Sequence, residues 1–583
     1  MILVDADPKT MRLTVDAPSR LADVLSRLPG LQVNAEAGEW EGPVTASNMI
    51  AVASEVGKLP GFSPTDRASS LMAAIKKTKG WVEAVKSGAE TVASWDERLY
   101  DYQVVGVWML LERKRMLLGD EMGTGKTVMA LTAARQVRGA TLVVSPNSMK
   151  HRWAREAEVW YPEVRTFVVH GTAKQKEQIL EDAHAAWLEG ETILVSVNWE
   201  ALRTLSRVAG YGSQRLTEKE RSAGPLNKIG WRTVIADEAH RAKDPNSKQT
   251  RALWAVAHGA EYRWALTGTP TLNTPGDLWA IGRFYDPASF GKSRHKWHNR
   301  YVAYIETNWG PKDMGLNMLR EPEFTSWFDM NFIRRTTGEV LTLPPLRGGL
   351  LSEDSVLDVR EIEMTAKQKT AYNKMVNDMI VAIDDGILVA TDPLALLTRL
   401  SQIASATPVI SPDGEVVALD APSNKIDAVL EILDEMDEDR QVVVFAQSRK
   451  LVELLAGKLT AKGIESIQIT GAVDPGVRDV YIQKFQAGQA RVALATLAAG
   501  GTGIDLYAAD TAVFMQRGYS YGDSLQAEAR VYRNGQDAER VHIIDLVSRD
   551  TVDEAVIEAL QSKGEMAEQV LRDKARELMR SKA

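Results

Sequence analysis

The stretch Leu117-Leu-Gly-Asp-Glu-Met-Gly-Thr-Gly-Lys-Thr127, followed at once by the helical run VMALTAARQV, decides how this chain folds. An apolar strand runs into a glycine-containing loop and then into a helix. Backbone N–H groups of such a loop, together with the helix N-terminus, form a cradle for phosphate. Gly123 and Gly125, with Thr124 between them, permit the tight path; Lys126 is placed to reach the β- and γ-phosphates and Thr127 to hold Mg²⁺. The strict pattern has glycine at its first position, where this chain has Asp120.

Working outward, short apolar runs alternate with helical segments: RMLLGD, TLVVSP, TILVSV, TVIADE and RWALTG. That rhythm predicts βαβ units and a mainly parallel sheet over 96–290. From about 291 to 425 it gives way to helix-like segments rich in aromatic and basic residues. It returns over 426–583 with QVVVFAQ, SIQITG, RVALAT, TAVFMQ and VHIIDLV, a second α/β lobe. Residues 1–95 read as a small α+β accessory domain. There MILVDA and MRLTVDA flank the turn Asp7-Pro8-Lys9 as a hairpin, SRLADVLSRL is helical, and GEWEGPV is a turn or short strand. The last twenty or so residues read as a charged helix.

Composition narrows the chemistry. The 583 residues include no cysteine, which excludes disulfides, cysteine-held zinc, Fe–S clusters and a cysteine nucleophile. The eight histidines show no H-E-x-x-H spacing. No apolar run approaches the roughly 18–20 residues that span a bilayer, and no signal peptide is evident, so a soluble intracellular protein without membrane contact is expected. The net charge of −8 argues against coating nucleic acid by bulk charge and leaves any phosphate contact to local patches.

Two further segments carry chemistry. In VIADEAH, Val234–His240, an apolar strand ends in two adjacent acids. Asp237 can hold Mg²⁺, directly or through water, and Glu238 can orient and deprotonate an attacking water. In QAEARVYRNGQ, Gln526–Gln536, Arg530 and Arg533 are three apart and expected on one helix face, suited to act as arginine fingers on a γ-phosphate.

With these three in order, the chain resembles the Swi/Snf-type ATPases of helicase superfamily II from about Leu99 to Val547. The resemblance implies two RecA-like lobes with a helical insertion. LYDYQVVGVWML resembles the adenine-reading segment, with Gln103 as the specifying residue. LVVSPNSMKHRWAREAEVW resembles motif Ia, with a DNA-backbone role implied around Ser145, and LVSVNWEAL resembles motif Ib. IADEAHRAKDPNSKQTRAL resembles motif II and RWALTGTPTLNTPGDLW motif III; His240, Thr267, Gly268 and Thr269 would couple nucleotide state to DNA contact. FIRRTTGEVLTLPP resembles the segment closing the inserted region, and VVVFAQSRKLVELL motif IV. In LATLAAGGTGIDLYAAD, similar to motif V, Thr496 would touch a phosphate, and Gly503 and Asp505 would face the nucleotide. QAEARVYRNGQ resembles motif VI, with Gln526 at the nucleotide. Two departures stand out: Asp505 where the family often has asparagine, and Gly518–Asp523, GYSYGD, where it usually shows Trp-Asn-Pro. GEWEGPV faintly resembles the accessory domain of fork-remodelling, strand-annealing members.

The resemblance implies an ATP- and Mg²⁺-dependent double-stranded DNA translocase or helicase, acting with little sequence preference, with the remodelling of forks or branched DNA as one option. ATP would bind between the lobes, and hydrolysis would release them. A compact, cysteine-free motor of this kind suggests a bacterial or bacteriophage protein. An RNA helicase, the motor subunit of a restriction, nuclease or recombination complex, an ATP-gated clamp and an unrelated phosphate-loop ATPase are the alternatives. Ala529 and Tyr532 stand where RNA helicases favour glycine, which points to DNA.

Overall fold

The computed structural model describes residues 1–206, 224–268, 275–307, 310–352, 356–378, 380–383, 386–389, 393–411, 415–500, 504–518, 520–558 and 560–561. The charged C-terminal segment lies outside them. By its contacts the chain divides after Thr336 into two compact units, Met1–Thr336 and Thr337–Met566.

The first unit begins with strands β1 (Ile2–Asp7), β2 (Arg12–Asp16), β3 (Gln32–Asn34), β4 (Glu39–Pro43) and β5 (Phe62–Pro64), in sheet order β3-β4-β2-β1-β5. β1 and β2 form the expected antiparallel hairpin, and GEWEGPV supplies β4. Burial alternates along β1 with the period of two that a half-covered strand requires. The covered face packs on helices Ala46–Val56 and Asp66–Lys86, each started by a threonine side chain accepting from a backbone amide, Thr45 from Asn48 and Thr65 from Ala68.

Next come β6 (Arg115–Leu118), β7 (Thr141–Ser145), β8 (Arg165–Val168), β9 (Ile193–Asn198), β10 (Thr233–Asp237) and β11 (Tyr262–Leu266). They form a parallel sheet in the order β6-β11-β10-β7-β9-β8. β7, β9 and β10 are buried throughout, as strands covered on both faces must be. Leu117, Val234 and Ala265 pack into the core on one side; Leu118, Ile235 and Trp264 pack into the core on the other.

The segment 291–425 contributes to both units. In the first it forms helix Arg294–Tyr301, the hairpin β12 (Val302–Thr307) and β13 (Gly310–Leu316), helix Glu321–Phe328, and β14 (Phe332–Ile333), which extends the sheet beside β6. A buried ionic cluster joins these helices to the N-terminal domain. Arg300 grips both oxygens of Glu323 at 2.8 and 2.6 Å and reaches Glu55 at 2.9 Å, while Tyr301 donates to Glu323 at 2.8 Å and Arg320 meets Glu55 at 2.5 Å. Glu55 comes from helix Ala46–Val56, so the accessory sheet is held to this unit by charges that only this packing neutralises.

In the second unit the same segment supplies β15 (Leu346–Arg347), β16 (Asp358–Ile362), helices Ala366–Asp378 and Pro393–Ser405, and two hairpins, β17 (Ile380–Ile383) with β18 (Gly386–Val389) and β19 (Thr407–Ile410) with β20 (Val416–Asp420). The expected parallel lobe follows: β21 (Val442–Ala446), β22 (Ser466–Ile469), β23 (Val492–Thr496), β24 (Thr511–Phe514) and β25 (Val541–Ser548), ordered β25-β24-β21-β23-β22. β15 and β16 both pair parallel with β25. Among the described residues no helix is long and apolar enough to cross a membrane.

Candidate nucleotide site

The loop between β6 and helix Lys126–Val137 has the shape its glycines foretold. Gly123 and Gly125 take φ of 82° and 85°, the left-handed region open to glycine. A Cβ on Gly125 would lie 2.3 Å from Nε2 of Gln103. Lys126 folds over the loop, its ammonium donating to the carbonyls of Asp120 at 2.7 Å and Glu121 at 2.8 Å. Burial pulls the Lys126 ammonium down from its ordinary range, against the charges of Glu238, Asp120, Asp237 and Glu121. Thr124 is buried and donates to the carbonyl of Glu121 at 2.8 Å. Gln103 accepts from the amide of Tyr100 at 3.1 Å and donates to the carbonyl of Thr124 at 3.1 Å. Its Nε2 also donates to the Tyr102 hydroxyl at 3.4 Å, so Gln103 joins the helix Asp101–Arg113 to the loop. Thr127 occupies the second position of the helix.

Asp237 ends β10 and Glu238 follows at φ 51°, ψ 52°. A left-handed conformation in a residue other than glycine costs about 1–3 kcal/mol and concentrates at functional sites. Burial first, and the Glu238 charge second, push the Asp237 carboxyl up to about 6. Its Oδ2 accepts from the Trp153 indole at 2.8 Å, its Oδ1 from the Glu238 amide at 3.0 Å, and its backbone carbonyl from the Trp199 indole at 2.9 Å. Two carboxylates and an ammonium at the carboxyl ends of parallel strands, next to a helix N-terminus, form a suitable pocket for Mg²⁺ and a triphosphate.

The residues expected to couple are in contact. His240 Nδ1 meets Thr267 Oγ1 at 3.1 Å, and Thr267 donates its amide to Leu118 of β6 at 3.1 Å. A Cβ on Gly268 would sit 2.8 Å from the Met122 side chain of the phosphate loop. Thr269 lies outside the described residues.

The structure also explains Asp120. It is fully buried and accepts from the backbone amide of Arg335 at 2.9 Å and from its guanidinium, with Nε at 3.1 Å and Nη2 closer still. Arg335 donates as well to the carbonyl of Tyr102 and lies over the Tyr102 ring. Burial pushes the Tyr102 phenol up to about 12, and it donates to the Thr124 carbonyl at 2.9 Å. Arg335, Tyr102, Trp153 and Trp199 were missed from sequence because each acts on a residue far along the chain, where periodicity carries no signal.

In the second unit Arg530 and Arg533 are not on a helix face. The helix Tyr521–Glu528 ends first, and both arginines lie in the turns that follow. The reason is a tertiary contact: the Arg530 carbonyl is taken by the Leu506 amide at 2.9 Å, and Gly535 at φ 95° closes the turn. Arg533 pairs with Asp505, so the aspartate that replaces the family's asparagine has a cationic partner. Gln526 is buried two residues before the helix end. Arg517, just before GYSYGD, is fully enclosed between Asp545 at 2.5 Å and Glu528 at 2.7 Å, and that triad fixes the helix leading to the arginines. Gly503 lies outside the described residues. Ser145 ends β7 with no exposure, so its hydroxyl is not presented to solvent, while Thr496 ends β23 at 8% exposure. Around Ser145 the exposed groups are Asn147, His151 and Arg155.

Residues 102–408 match the model of the SNF2-related domain, and residues 424–535 match that of the helicase conserved C-terminal domain. The chain is 25% identical over 493 residues to a putative ATP-dependent helicase/translocase, YwqA, of Bacillus subtilis, covering 82% of this chain and 49% of that one. It is 26% identical over 507 residues to the chromodomain-helicase-DNA-binding protein 8 of Xenopus tropicalis, covering 80% of this chain and 21% of that one. Among solved structures it is similar to the Sulfolobus solfataricus SWI2/SNF2 ATPase core in complex with dsDNA, at 21% identity and a TM-score of 0.36, over 83% of this chain and 95% of that chain. The chain spans about half or less of the length of these two curated relatives.

Proposed function

This chain belongs to the SNF2-related family, and from that premise we propose that it is a DNA-dependent ATPase that moves along duplex DNA. The observation that carries the proposal is the convergence, at the carboxyl ends of the strands of a parallel sheet, of the Gly123–Thr127 loop, Lys126, and the Asp237–Glu238 pair. Lys126 binds the β- and γ-phosphates once they displace the Asp120 and Glu121 carbonyls. Gln103 reads the adenine edge. Thr127 and Asp237 hold Mg²⁺, which when bound supplies positive charge against the phosphates. Glu238 orients the attacking water and accepts its proton. Arg530 and Arg533 are assigned to the charge that develops on the γ-phosphate, with Asp505 and Gln526 beside them in function. Met122 against Gly268 and His240 against Thr267 relay nucleotide state to the segments assigned to DNA. Ser145 acts there by shaping its loop rather than through its hydroxyl, and Thr496 is assigned to a DNA phosphate. Phosphate contacts carry no sequence information, so little sequence preference is expected.

The test is ATP turnover with duplex DNA, single-stranded DNA and RNA side by side, with forked and four-way DNA as further arms. Stimulation by duplex DNA above single strands and RNA is the expected result. Stimulation by RNA alone would overturn the DNA reading, and absence of any turnover would overturn the motor reading.

A further inference from the structure

Two tryptophans converge on one acid. The sheet order places β10 beside β7 and β7 beside β9. The helix after β7, Lys150–Trp160, sends the indole of Trp153 to the Asp237 carboxylate; the helix after β9, Trp199–Leu205, sends the indole of Trp199 to the Asp237 carbonyl. Both rings are fully buried, so each N–H depends on that one acceptor.

We propose that Trp153 and Trp199 are positioning residues that tie the metal-holding carboxylate of Asp237 to two neighbouring helices, the one after β7, whose end at Ser145 is assigned to the DNA backbone, and the one after β9. The proposal rests on Asp237 holding Mg²⁺, as read above. With Oδ2 held by Trp153 and Oδ1 by the Glu238 amide, the carboxylate cannot rotate, and its remaining lone pairs face a fixed direction. An indole N–H only donates and carries no charge. It orients the carboxylate without neutralising it, which an arginine or lysine in the same place would do at the expense of the cation.

The opposite faces of the same helices are open to solvent. Helix Lys150–Trp160 exposes His151, Arg155, Glu158 and Val159 while burying Lys150, Trp153 and Ala157. Helix Trp199–Leu205 exposes Glu200 and Arg203, and Glu200 also bonds Arg241, three residues past Glu238, at 3.0 Å. Each helix is therefore a short rigid body with a solvent face at one side and Asp237 at the other. Hydrogen bonds weaken steeply as they bend or stretch, so a small shift of either helix is felt at the carboxylate. Linkage makes the effect mutual: what settles these helices tightens the Mg²⁺–nucleotide site, and a filled site settles the helices.

The experiment uses the full-length chain with Trp153→Phe, Trp199→Phe and, as control, Trp231→Phe. Trp231 is also a buried donor, bonded to the Leu226 carbonyl at 2.7 Å, but it precedes the opposite end of β10. Three quantities are measured: the Mg²⁺ concentration for half-maximal binding of a fluorescent N-methylanthraniloyl ATP, the ratio of ATP turnover with and without duplex DNA, and the melting temperature. Trp153→Phe is expected to raise the Mg²⁺ midpoint about 10- to 100-fold, the range for lost second-layer partners of metal ligands, and to pull the DNA ratio toward one. Trp199→Phe should shift both in the same direction by less. Trp231→Phe should leave both where they are, whatever its melting temperature. Midpoints and ratios in the Trp153 and Trp199 variants equal to those of the control would overturn the proposal; if one variant fails to fold, the other decides. A wild-type chain that binds the fluorescent nucleotide without regard to Mg²⁺ would instead overturn the reading of Asp237, and this inference with it.

Discussion

Lys126 and Asp120 stand six residues apart in one loop and do different work. Lys126 rests on carbonyls that a phosphate can replace, so Lys126→Ala should leave the fold intact and lower ATP turnover by about 10²–10³-fold or more, measured as phosphate release. Asp120 is structural. Its carboxylate is the buried partner of Arg335, and removing one member of such a pair typically costs about 3–5 kcal/mol. Asp120→Ala should therefore lower the denaturation midpoint sharply. The double variant Asp120→Ala, Arg335→Met should lower it by less than the sum of the two single changes, because no charge is left unpaired. The arginines of the second unit call for a third behaviour. Arg530→Ala or Arg533→Ala should keep nucleotide affinity while turnover falls by about 10³–10⁵-fold. Equal loss of both would assign them to the fold.

At the scale of elements, helix Asp66–Lys86 ends on a lysine that donates to the carbonyls of Asp329 and Phe332, beside β14. Burial, opposed by the charge of Asp329, holds the Lys86 ammonium down at about 8, against 10.5 for a free lysine. Between these two values the unfolded chain keeps a proton that the folded chain has released, so stability should rise as pH climbs from about 8 to 10.5. Below pH 8 the burial cost is constant. Melting temperatures across this window should show the rise in the wild type and a flatter profile in Lys86→Met. A profile identical in the two would assign the pH dependence to other groups. The same neighbourhood shows why β14 was not legible in sequence: two residues, Phe332 and Ile333, carry no periodicity, and they become a strand only because β6 offers a free edge.

Across the whole molecule, charge is placed where it matters rather than in bulk. A chain of net charge −8 that tracks DNA must do so through local basic groups, so duplex-stimulated turnover should fall as salt rises. A salt-independent stimulation would be incompatible with backbone contact. The N-terminal sheet is held to its unit through Glu55, Arg300 and Glu323. Hydrogen exchange in β1 and β2 should accordingly be slow in the wild type and faster in Glu55→Ala, while β10 and β11 change little.

What the amino-acid order determined by itself is everything written in short-range terms. The alternation of buried runs and helices gave two parallel sheets; the glycines gave a left-handed loop between strand and helix; adjacent acids after an apolar run gave a strand end carrying two carboxylates. These follow from local sterics and from which faces water must leave, and they need no knowledge of what packs against them. Tertiary structure alone decided which distant groups meet. It closed the helix before Arg530 by giving that carbonyl to Leu506, buried Ser145 and Thr496, paired Asp120 with Arg335, and brought two indoles onto Asp237. A buried donor or charge must find a partner, but its own sequence neighbourhood does not say which one; only the packed chain supplies it.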